Sequence, residues 1–132
     1  MAPVLARGLL LLSICVLAQP SVAQARDDDG RLQVGRGLIC ATGQQVERYV
    51  TLFDGDAQKT MGVVNSEAND TSACTVASVI FIPESAGATV RNATGAYRVV
   101  QIVVFGVVTA AGVHKVGPLV RFAATPVEEI EI

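Results

Sequence analysis

The sequence predicts an α+β domain: a helical hairpin followed by an antiparallel sheet of about four strands, held by one disulfide. Three observations predict it. Apolar residues recur at helical spacing through residues 43–68. After Cys74 the chain turns to runs rich in Val, Ile and Thr, separated by turn residues. Two cysteines, Cys40 and Cys74, flank the helical stretch. Helices followed by a run of strands read as α+β with a meander.

Composition supports a folded domain. Of 132 residues, 51% are hydrophobic and 17% charged, which excludes a solvated disordered chain. Twelve Gly and five Pro are too few for a collagen-like or low-complexity repeat. The net charge of −2 provides no basic field for a polyanion, so no nucleic-acid partner is expected.

Residues 1–25 read as a secretory signal peptide. Arg7 supplies positive charge, Leu9 to Leu17 form a short apolar core, and Ala23-Gln24-Ala25 matches a cleavage site. The apolar core falls short of the roughly 20 residues of a membrane span. Cys15 sits inside that core behind Ile14, which argues against a lipidation site. Residues 26–36 read as a flexible N-terminal arm, and the run Asp27-Asp28-Asp29 as a solvated tail rather than a cation site. Residues 37–132 are then a single domain in the periplasm or outside the cell.

In that oxidising setting Cys40 and Cys74 are expected to pair. A redox-active pair would need Cys-x-x-Cys spacing. Two cysteines and one distant histidine fall short of a zinc site. Thr42 caps the first helix with Gln45 as its capping-box partner, and Val46, Tyr49, Val50 and Phe53 form its stripe. Gly55 ends it. Asp56 caps a second helix carrying Ala57, Met61, Val64 and Ala68. Asp54-Gly55-Asp56 fails as a calcium loop, because Lys59 and Asn65 fall where the loop requires glycine and a carboxylate.

Strands are expected over residues 75–82, bounded by Pro83, over 87–91, and over 97–108 after the turn Asn92-Ala93-Thr94-Gly95. A last strand follows Gly112, is interrupted at Pro118, and continues over 119–125. The strand from Tyr97 is apolar on both faces, so each face requires cover. Helices on one face and a curled sheet or long loop on the other would supply it from within the chain; a partner protein or a second copy would supply it from outside. Insertion in a membrane is not expected, because the apolar run is short and four strands do not make an outer-membrane barrel.

Gly37-Leu38-Ile39-Cys40, Gln44-Gln45-Val46-Glu47-Arg48, Val64-Asn65, Ala73-Cys74, Gly106-Val107 and Glu128-Glu129 resemble a group of small exported proteins of alpha-proteobacteria. The resemblance spans nearly the whole exported part, rests on framework residues and implies no activity. Thr94-Gly95-Ala96-Tyr97-Arg98-Val99-Val100 is also similar to strands of bacterial SH3-like modules, from which the helical first half departs.

No catalytic set emerges. His114 would need Ser66, Ser72, Ser78 or Ser85 beside it, and no G-x-S-x-G turn presents a nucleophile. No phosphate-binding or dinucleotide motif is present, and no cofactor or metal is expected. Asn69-Asp70-Thr71 and Asn92-Ala93-Thr94 match short glycosylation sequons. The expected role is non-enzymatic binding or accessory work through the sheet. A small hydrolase acting on cell-envelope material is the alternative, and a stress-related structural protein a third class.

Overall fold

The computed structural model describes residues 31–127. Its elements are β1 (Gln33–Cys40), α1 (Gly43–Leu52), α2 (Ala57–Ala68), β2 (Cys74–Asn92), β3 (Gly95–Thr109) and β4 (Gly112–Pro126). The expected signal peptide, the first part of the arm and the acidic end at Glu128, Glu129 and Glu131 lie outside the described residues.

The helices begin where their capping residues put them. The Thr42 hydroxyl accepts from the Gln45 amide at 3.2 Å, and the Thr42 amide donates to Gln45 Oε1 at 3.0 Å. Asp56 Oδ1 accepts from the Lys59 amide at 3.0 Å and starts α2. Asn69 ends α2 in the left-handed conformation. The two expected stripes bury Val46, Tyr49 and Val50 on α1 and Met61 and Val64 on α2.

The sheet is antiparallel throughout. β1 pairs with β2 along its length, β2 with β3, and β3 with β4. It then curls until β1 meets β4 at Ile39↔Ala123 and Cys40↔Phe122, closing a four-stranded barrel. Asn92↔Gly95 and Thr109↔Gly112 close two short hairpins, and Gly95 and Gly112 take the positive φ that those turns demand.

The curl explains the doubly apolar strand. Val99 and, beside it, Tyr97 pack against the helices with Cys40, Val46, Tyr49, Val50, Met61 and Val64. Ile102 and Val104 point the other way and form a second core with Ile39 and Val79 inside the curl. The chain supplies cover for both faces of this half of the strand.

Four details depart from the expectations. β1 begins at Gln33, inside the stretch read as an arm. Its Gly35-Arg36-Gly37 carries little strand propensity, and pairing with β2 imposes the extension. The separate strands expected over 75–82 and 87–91 are one, β2, and Pro83 sits at a register irregularity, where a ladder tolerates the missing N–H. Pro118 likewise lies within β4 beside a register shift. Finally, α1 stops at Leu52, with Phe53 as its cap, and Gly55 bends the link to α2 instead. No helix among the described residues is long and apolar enough to cross a membrane.

Candidate functional site

The expected bridge is present. Cys40 and Cys74 are directly opposed on β1 and β2, with Cα atoms 4.1 Å apart and an S–S bond of 2.05 Å. Both are buried beneath the helices, so the bond works as a fastening rather than as an exposed thiol centre.

The opposite side of the sheet holds a cleft. Strand alternation sends Gln33, Gly35, Gly37 and Ile39 of β1 inward. The second core confirms the direction at Ile39. Two of these four positions carry no side chain. A Cβ added at Gly37 would meet nothing within 4 Å, and one at Gly35 would stand 3.3 Å from the Phe81 ring. The wall is therefore stripped where β1 faces the end of β4. What remains is a half-open cleft of about 470 Å³, floored by Ile39, Val79, Phe81, Val100, Ile102 and Ala123. That volume falls within the range of roughly 300–1,000 Å³ typical of small-molecule sites.

The cleft opens along the β1–β4 seam. Only Ile39 and Cys40 of β1 pair with β4, so among the described residues Val34, Arg36 and Leu38 have no partner strand on that side. Across the gap stand Thr125 and Pro126, and Pro126 brings no N–H to extend the ladder.

Three charged residues border the cleft. Arg36 Nη1 donates to Ser78 Oγ at 3.4 Å, and Glu84 accepts from Gln101 Nε2 at 2.6 Å. Arg98 lies on the inward face of β3 with Val100 and Ile102, opposite Thr125, and makes no hydrogen bond or ion pair with the described residues. Composition did not mark Arg98 or the two glycines. The signal that finds them is their shared inward parity once the barrel's register is known.

The other candidates do not converge. His114 is exposed on β4, its Nε2 3.2 Å from Thr109 Oγ1. Ser78 is engaged by Arg36, and Ser72 by Asp70. Asp54 and Asp70 are held below the ordinary carboxylate range. For Asp54 the Asp56 amide acts first and Lys59 second; for Asp70 it is the amide and then the hydroxyl of Ser72. Both are turn carboxylates on the surface. No group of three or more metal-ligating side chains occurs among the described residues. The Asn92 sequon is occupied structurally: its Nδ2 donates to the Val50 carbonyl at 2.8 Å, and its Oδ1 accepts from Thr94 and Gly95.

Comparison with known proteins finds no family model, no curated relative and no solved structure that matches the chain.

Proposed function

We propose that this chain is a small exported, non-enzymatic binding protein that holds an apolar ligand in the cleft on the concave side of its barrel. The observation that carries the reading is the pair Gly35 and Gly37. A β1 wall bearing side chains at both places would fill the interior; two glycines leave an apolar hollow open to one side. The disulfide and the leader-like first 25 residues support an oxidising, exported setting.

N-phenyl-1-naphthylamine, a neutral apolar dye whose fluorescence rises in dry surroundings, tests the reading. Saturable binding at one site is expected. Gly37→Val projects a branched side chain into the open space and is expected to weaken that binding at least tenfold without lowering the melting temperature. Absence of saturable binding, or binding indifferent to Gly37→Val in a folded variant, removes the cleft as the functional site.

A further inference from the structure

We infer that the cleft takes the free monomer of a long-chain carboxylate, its acyl chain against the apolar floor and its head on the Arg98 guanidinium. The inference rests on the reading of the cleft as a binding site and adds the ligand's class.

Charge decides the head group. Arg98 stands on the inward face of β3, one alternate position beyond Val100, where the apolar floor gives way to the open seam. It has no acceptor among the described residues. The other two charged residues at the border hydrogen-bond neutral partners, Glu84 with Gln101 and Arg36 with Ser78, so among the described residues the border carries two guanidiniums against one carboxylate. Arg98 thus presents to the mouth a cation with a planar fork of donors that no described residue accepts from. That geometry suits a carboxylate, which can accept two parallel hydrogen bonds.

Shape decides the tail. The floor from Val100 and Ile102 to Val79 and Phe81 is continuous and apolar, and about 470 Å³ gives room for one chain rather than a two-chain lipid. Charge also selects the source. With a net charge of −2, the protein has no general attraction to an anionic bilayer. A dissolved monomer reaches the seam without it.

The probe is 11-(dansylamino)undecanoate, used below its micellar concentration with the purified protein as the cell processes it. One saturable site is expected. Dodecanoate should displace the probe at least tenfold more effectively than dodecan-1-ol, and dodecyltrimethylammonium should not displace it. Arg98→Gln, a change on an exposed side chain that the fold tolerates, should weaken dodecanoate about tenfold and leave dodecan-1-ol unchanged. Arg98→Lys should restore part of the difference. Phosphatidylglycerol vesicles should not sediment the protein.

Equal displacement by acid and alcohol, or a carboxylate affinity indifferent to Arg98→Gln, overturns the inference. Arg98-dependent sedimentation with the vesicles overturns the free monomer as the source. The neutral dye separates the two levels. If it binds while the carboxylate shows no preference, the ligand class alone fails; if neither binds, the cleft itself fails.

Discussion

Asn65 has more to do in this fold than its place on a helix suggests. Its Nδ2 donates to the carbonyls of Thr71 and Cys74, both at 3.1 Å, and its Oδ1 accepts from the Cys74 amide at 2.7 Å. One side chain thereby ties α2 to the first residue of β2. Asn65→Ala leaves partly buried backbone groups of Cys74 without partners and is expected to cost about 2–3 kcal/mol, read from urea unfolding. Titratable groups give a second prediction. Asp54 and Asp70 have depressed pKa values in the folded state, so their contribution is present above the unfolded value near 3.8 and is lost as pH falls through the folded one. Melting temperature should therefore drop at acid pH, and Asp54→Asn with Asp70→Asn should flatten that part of the profile. Tyr49 behaves oppositely. Burial first, then the charge of Asp56 and the proximity of Tyr97, raise its phenol, so its contribution is full below 10.0 and fades as pH climbs through the raised value. Tyr49→Phe should remove that alkaline limb. Asn65 was invisible in the sequence because its partners lie beyond the end of α2, whereas Thr42, Gln45 and Asp56 were legible because their bonds close within three residues.

Among the elements, the same contrast holds between helix and strand. Helical spacing and capping are local, and both helices were read from them. β1 was not, because Gly35-Arg36-Gly37 becomes a strand only through its pairing with β2, some forty positions away. β2 was read as two pieces because Pro83 is a local stop signal that a register irregularity absorbs. Capping offers a direct check: Thr42→Ala removes the bond to the Gln45 amide and should cost about 1 kcal/mol. The bridge matters more. It closes a loop of sequence separation 34, so Cys40→Ala with Cys74→Ala should lower stability by about 3–4 kcal/mol, measured by urea unfolding as a lower midpoint with a slope that rises as the unfolded chain expands.

At the scale of the molecule, one curled sheet makes two cores with different tasks. The convex side carries the helices and the disulfide, and it was foreseeable from periodicity and cysteine count. The concave side carries the candidate site, which was not. Arg98, Gly35 and Gly37 are ordinary residues until closure turns their inward parity into a shared hollow. The apolar character of β3 pointed to a need for cover, and the curl supplies it for Val100, Ile102 and Val104 from within the chain. Val34, Val113, Leu119 and Val120 remain exposed on the described part of the sheet.

Cys40 occupies a singular crossing, opposite Cys74 on one side and Phe122 on the other. The covalent rivet and the last rung of the cylinder thus share a residue. With the sulfurs joined, fraying of β4 from β1 stops at a fixed post; with them reduced, the two-rung joint has only hydrogen bonds and packing to hold it. Deuterium uptake at the Phe122 and Ala123 amides should accelerate on mild reduction while the β2–β3 hairpin keeps its protection. Thiol chemistry on the helical side would in this way set how wide the hollow on the other side can gape.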